Sequence, residues 1–315
     1  MNGGCYTTPD ASRGPVSNAG QGPRRSGRLR CLVVYTAVLV CSCGQQGILD
    51  PQGPIAAQEL LLLINSTAIM LVVVVPVIVA TLGFAWWYRS SNARASRSTD
   101  EGYEGRTEFV LWSIPALIVI LLGGVIWIGS HQLDPRAPIP ADPNPLRVDV
   151  VALDWKWLFI YPDQGIAAVN QLVIPAGTPV NFRLTSATVM NSFFIPQLGT
   201  QVYAMAGMQT RLHLIADEAG DYAGASANFS GRGFSDMKFR TLAEPREQFD
   251  AWVQKVKASS DRLDMTAYST VAQPSEKAPV RYFSTVDPKL FHNIIAKYND
   301  GHVLDLKDAA CGTKG

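Results

Sequence analysis

Thiols and imidazoles are scarce in this sequence. Five cysteines and four histidines serve 315 residues, and four of those cysteines fall before residue 44. Past Cys43 only Cys311 remains, which excludes an internal disulfide and any two-cysteine metal site downstream. No two of His131, His213, His292 and His302 have metal-ligand spacing. Excess charge is missing as well. Lys and Arg number 27 against 26 Asp and Glu, a formal net charge of +1 that argues against the basic surface of a nucleic-acid binder. No nucleophile signature or phosphate-cradling loop is present.

What the sequence holds in quantity is apolar side chains, 47% of all residues, and before residue 132 they gather into three runs. The length suits one to three domains. The first run, RRSGRLRCLVVYTAVLVCSC (residues 24–43), places arginines ahead of an apolar core of roughly a dozen residues. That is the length of a signal-peptide core and too short to cross a bilayer. It ends Leu39-Val40-Cys41-Ser42-Cys43, which resembles the lipobox of bacterial lipoproteins, whose cysteine is lipidated and becomes the mature N-terminus. Residues 1–42 are expected to be a leader and Cys43 the lipidation site. Cleavage elsewhere, or a start codon placed too early, are the alternative readings.

The second and third runs are expected to cross the membrane. Leu60 to Tyr88 exceeds the ~20 apolar residues a span needs. It ends in Trp86, Trp87 and Tyr88, which suit the membrane–water boundary. The other span is Phe109 to Ile128, with Trp127 near its far end. Pro76 and Pro115 fall inside, where neighbouring helices commonly satisfy the backbone groups that proline frees. The connecting loop carries Arg89, Arg94, Arg97 and Arg106, which makes it cytoplasmic by the positive-inside tendency. Residues 43–131 then form a lipid anchor and a two-helix transmembrane hairpin, with the N-terminus and everything after residue 131 outside.

After a proline-rich connector (residues 133–146) the pattern becomes short alternating runs. RVDVVALDWKWLFIYP, VNQLVIPAGTPVNFRLTSA, MQTRLHLIAD and MKFRTLAE read as strands between Gly, Pro and Asn turns. They predict a β-sandwich or barrel of ~100 residues, over residues 132–243. Beyond Ala243 the period turns helical. Pro245 opens a helix with Phe249, Trp252, Val253 and Val256 on one face. Asp287-Pro288 reads as an N-cap and first helical residue ahead of Phe291, Ile294, Ile295 and Tyr298. Residues 244–315 are thus a helical C-terminal extension, and the fold class is membrane-anchored α+β.

A lipoprotein-type leader, a two-helix hairpin and an outward β-domain, in that order, resemble subunit II of the haem–copper terminal oxidases. DWKWLFIYPDQG (residues 154–165), VMNSFFIPQLG (189–199) and YAMAGMQTRLHLIA (203–216) are most similar to the cytochrome bo-type ubiquinol oxidase branch. The helical extension matches that branch too, and the likeness covers nearly the whole mature chain. The resemblance implies a cupredoxin-like β-domain facing the periplasm from the bacterial inner membrane. It implies subunit I, the other oxidase subunits and the lipid bilayer as partners, with haems and copper in subunit I. Ubiquinol is then the substrate of the complex, and cytochrome c is not a partner.

The same resemblance gives meaning to GASANFSGRGFSDM (residues 224–237). In the cytochrome c-oxidising relatives the domain holds a dinuclear copper centre. Its motif is broadly an upstream histidine, then C-S-E-x-C-G-x-x-H-x-x-M on a later loop. Laid onto this chain, the cysteine positions fall at Ser226 and Ser230, the glutamate at Asn228 and the loop histidine at Phe234. Gly231 and Met237 match as they stand, and the upstream histidine falls at Asn191. Bridging thiolates are what such a copper pair requires. The resemblance therefore implies a subunit with no cofactor of its own, catalytic residues lying elsewhere in the complex. The aromatic run Trp155, Trp157, Phe159 and Tyr161 resembles the electron-entry region of copper-bearing relatives, but strand packing and contact with subunit I is the favoured reading.

Glu108 stands where the loop enters the second span, in EFVLWSIP. A solvated carboxylate at a helix N-terminus is one reading. The resemblance implies the other, the mouth of the K proton pathway of subunit I. Glu59 borders the first span without a motif around it. Two rival readings of the whole chain remain: a lipid-anchored binding or assembly protein on a cupredoxin scaffold, and a cytochrome c oxidase subunit II with an atypical copper site.

Overall fold

The computed structural model describes residues 47–95, 105–139 and 144–298. The leader, Cys43, Arg97, His302 and Cys311 lie outside the described residues.

Helix α1 spans Pro54–Trp87, 34 residues, and α2 spans Gly105–Gln132, 28 residues. At 1.5 Å per residue they are roughly 50 and 40 Å long, beyond the ~30 Å hydrocarbon core. Both outrun the apolar runs that announce them. Helix α1 starts six residues before Leu60 because Pro54 sits in the first turn, where its missing N–H costs nothing. Pro76 and Pro115 lie inside the helices. Their most apolar windows have mean hydropathy 2.7 and 2.6 and none of it is buried, which leaves faces suited to lipid or other membrane helices. The two helices approach closely at Gly129, where a Cβ would stand 2.8 Å from Leu62 Cδ1.

The β-domain is two facing sheets with a helical layer outside. The six-stranded sheet runs β12 (Arg281–Phe283), β3 (Ile166–Val169), β2 (Lys156–Tyr161), β1 (Leu146–Leu153), β5 (Val180–Ser186) and β8 (Thr210–Leu214). The five-stranded sheet runs β4 (Gln171–Pro175), β10 (Lys238–Glu244), β9 (Gly220–Ser226), β6 (Asn191–Phe194) and β7 (Val202–Ala204). A short pair, β11 (Arg262–Leu263) and β13 (Thr285–Val286), tethers the extension to itself.

Strand β2 explains the arrangement. All six of its residues are buried, so it shows no polar alternation. Trp157, Phe159 and Tyr161 point between the sheets, where Phe193 and Phe239 stack at 5.1 Å. Leu158 and Ile160 point the other way, into a second core built with Val151, Tyr268, Phe283 and Phe291. The extension supplies that second core through α4 (Met265–Val271) and a last helix, α5, at residues 290–298. Helix α3 (Arg246–Lys257) instead closes the inner core with Phe249, Val253 and Val256. Its face is the one the periodicity predicts. Helix α5 begins later than Asp287-Pro288 suggests. The Asp287 carboxylate accepts from the Lys289 N–H at 2.9 Å and its carbonyl from Leu290, so this pair forms a turn before the helix.

The hairpin and the domain are joined by backbone. Gln52 donates to the Gln197 carbonyl at 2.7 Å and accepts from Asp217 at 2.9 Å. The Pro135 carbonyl accepts from the His213 N–H at 3.1 Å.

Candidate functional site

Most of the residues that the resemblance lays on copper-ligand positions meet at one end of the five-stranded sheet. Asn191 opens β6 and Ser226 ends β9, and both are buried. The Ser226 hydroxyl lies within donating distance of the Asn191 carboxamide oxygen, 3.2 Å, and of the Asn228 carbonyl, 3.3 Å. Asn191 donates to the Val189 carbonyl at 3.1 Å, and Asn228 to the Met190 carbonyl at 3.1 Å. The Ser230 hydroxyl faces the Met237 sulfur at 3.9 Å. Met237 itself is 1% exposed and belongs to the inner core. Phe234 leaves the cluster and packs edge-on against Phe229, centroids 5.5 Å apart.

This donor set does not fit a copper pair. It offers two hydroxyls, two carboxamides and one buried thioether, where copper of this kind selects thiolate and imidazole. A serine hydroxyl stays protonated near neutral pH and does not bridge two metals as a thiolate does. The polar atoms instead satisfy one another and the backbone, as buried polar groups must. Among the described residues no group of three His, Cys, Asp or Glu could hold a metal ion.

A residue of the aromatic run anchors the loop. Trp155 turns the chain between β1 and β2 with φ +62°, a conformation rare for a bulky side chain. Its indole N–H donates to the Ser230 carbonyl at 3.0 Å. Its ring lies so close to Gly233 that a Cβ there would stand 2.5 Å away. The Arg232 guanidinium sits 5.8 Å from the ring centroid and pairs with Glu276 of the extension at 2.7 Å. Trp157, Phe159 and Tyr161 are fully buried in the core. The tyrosine hydroxyl takes both backbone groups of Val173, and burial pushes its titration far above the usual phenol value. Gly233, where a side chain would meet the Trp155 ring, is the sequence signal for this packing.

Sequence reasoning missed two buried charges. Asp149, 2% exposed, pairs with Arg183 on the neighbouring strand through bonds of 2.6 and 2.5 Å. Burial raises the Asp149 carboxyl above the ordinary carboxylate value against the pull of Arg183. Lys156, 3% exposed, donates to the Gln273 carbonyl at 2.6 Å and the Ser275 hydroxyl at 2.5 Å, and burial lowers its ammonium. Glu108 stands exposed in the first turn of α2, far along the chain from the loop cluster. Glu59 faces a cleft between the two helices and the β-domain.

Two family models match this chain. The cytochrome c oxidase subunit II periplasmic domain covers residues 163–241, and the COX aromatic rich motif covers residues 257–302. The second match spans the part of the extension that supplies Tyr268, Phe283 and Phe291 to the outer core. Ubiquinol oxidase subunit 2 of Acetobacter aceti is 53% identical over 86% of this chain and 88% of its own length. Cytochrome bo(3) ubiquinol oxidase subunit 2 of Pseudomonas aeruginosa is 48% identical over 90% of this chain and 85% of its own. Quinol oxidase subunit 2 of Bacillus spizizenii is 36% identical over 86% and 85%. With identity of this order along nearly the full length of both chains, the protein belongs to the subunit 2 family of haem–copper ubiquinol oxidases.

Proposed function

We propose that this chain serves a proton-pumping ubiquinol oxidase of an aerobic respiratory chain as a subunit with no redox centre of its own. The observation that carries the reading is the closure of Ser226 on Asn191, which fills the ligand positions with hydrogen bonds where metal donors would stand. A copper site accepts electrons from a water-soluble donor at the outer surface. Without it, a quinol dissolved in the bilayer delivers electrons directly to a haem of subunit I, which holds the haems and copper and reduces oxygen to water. This chain then clamps subunit I through α1 and α2 and caps its outer face with the β-domain. Glu108 brings cytoplasmic protons to the K pathway. Cys43 carries the lipid, and the N-terminus and β-domain face the periplasm from the inner membrane.

The test is oxygen uptake by the complex purified through this chain, with ubiquinol and then reduced cytochrome c as donor. Turnover with quinol alone is expected. Turnover with cytochrome c would overturn the reading.

A further inference from the structure

Where α1 and α2 meet the β-domain, a cleft of about 450 Å³ opens between them, a size ordinary for a small-ligand site. Its two ends differ in chemistry. Toward the helices it is lined by Leu62 of α1 and by Val125 and Ile126 of α2, and Ile126 is 67% exposed. Toward the domain stand Glu59, Ser130 and Gln201. The Glu59 carboxylate lies beside the Thr200 backbone. Among the described residues no Lys, Arg or His lines the cleft, and none of the ion pairs includes Glu59. The Gln201 carboxamide oxygen takes the Ser192 hydroxyl at 3.2 Å, which leaves the amide nitrogen as a donor.

From this geometry we infer that the cleft holds one aminophospholipid. Its primary ammonium pairs with Glu59, its phosphate accepts from Gln201, and an acyl chain runs along Leu62, Val125 and Ile126. Charge complementarity selects this occupant. A carboxylate with no cation in the same cleft attracts an ammonium and repels the net negative headgroup of a phosphatidylglycerol. An apolar groove continuous with the exposed helix faces suits a molecule whose tail stays in the bilayer. The inference rests on the two helices crossing the membrane, and not on where quinol is oxidised.

The test uses the whole oxidase complex. After detergent washing, it is exposed in turn to phosphatidylethanolamine, phosphatidylcholine, phosphatidylglycerol and ubiquinol, and bound molecules are counted by native mass spectrometry. One tightly held phosphatidylethanolamine is expected. Phosphatidylcholine, whose trimethylated nitrogen has no N–H to donate, binds more weakly, and phosphatidylglycerol binds least. Glu59→Gln lowers phosphatidylethanolamine retention about tenfold, the scale of one charge-assisted hydrogen bond. Ile126→Trp fills the groove and lowers retention with the carboxylate intact. Equal retention of phosphatidylglycerol, displacement of the lipid by ubiquinol, or unchanged retention in the variants would each overturn the proposal. The comparison of headgroups on the unmutated complex decides the matter even where a variant fails to assemble. Haem content and quinol turnover of the same preparations report separately on the oxidase reading.

Discussion

The Ser226 hydroxyl donates to the Asn191 carboxamide across 3.2 Å, joining two buried residues 35 positions apart in the chain. That bond joins two residues that the sequence resemblance lays on copper-ligand positions. If the surrounding scaffold is intact, restoring the donors restores the metal. The combined variant Asn191→His, Ser226→Cys, Asn228→Glu, Ser230→Cys and Phe234→His keeps Gly231 and Met237 and is expected to bind copper with an intense visible thiolate band. Metal analysis and absorption spectroscopy of the purified chain check this, with the unmutated protein binding none. A colourless, metal-free variant that is folded would show that the scaffold has moved.

Gly233→Ala tests the dock beneath Trp155. The added methyl would meet the indole at 2.5 Å, so the ring or the loop must shift. Overpacking of this kind costs about 1–3 kcal/mol. The expected result is a lower unfolding midpoint in denaturant together with a changed tryptophan emission. An unchanged midpoint and spectrum would mean that the ring is not held as described.

Phe291→Ala removes a side chain that is 6% exposed and lies 5.1 Å from the Arg183 guanidinium, the partner of buried Asp149. Truncating a buried phenylalanine costs about 3–5 kcal/mol. Because the residue belongs to the outer core, the β-sheet signal is expected to melt earlier, not merely the terminal helix. Circular dichroism in the β and aromatic regions separates the two outcomes.

Lys156 makes stability depend on alkaline pH. Burial lowers its ammonium below the ordinary 10.5, so the folded chain releases this proton before the unfolded chain does. Between the two values the unfolded chain binds more protons, and stability therefore rises with pH across that window. In Lys156→Met this contribution is gone. Denaturant midpoints measured from neutral pH toward 10.5 are expected to show the unmutated chain gaining on the variant. An unmutated midpoint that falls relative to the variant's as pH rises would contradict the assignment.

Glu108→Ala is expected to slow quinol-driven oxygen uptake while haem content and subunit assembly stay normal, with Glu108→Asp retaining more turnover than Glu108→Gln. Full turnover in an assembled Glu108→Ala complex would assign this exposed carboxylate to solvation at the start of α2 and nothing more.

The elements that sequence revealed are those whose signals are local. Apolar runs announce α1 and α2, and alternating runs between turn residues mark β1, β5, β8 and β10. Strands β6 and β7 escaped because they are four and three residues long. Strand β9, GDYAGAS, has little strand propensity of its own and is held by antiparallel pairing with β10. Lys156 falls in a run read as a strand, with no local sign of burial. It is buried by Gln273 and Ser275, 117 and 119 positions away, and no local pattern reports a contact of that range. At the loop end of the sheet, sequence resemblance pointed to Asn191, Ser226, Ser230 and Met237. It did not reveal that their polar atoms bond to one another, since that depends on the register bringing β6 beside β9.

The pairing of β12 with β3 also sets a timetable. Arg281 is the partner of Val169, so 112 residues of chain must follow the inner strand before its neighbour exists. At 5–20 residues per second that is roughly ten seconds of synthesis. Throughout it, β3 presents an open hydrogen-bonding edge and the sheet an uncovered apolar face, the two features that invite aggregation. The domain is thus vulnerable as it leaves the ribosome, and the arrival of β12 with the helical extension ends that exposure.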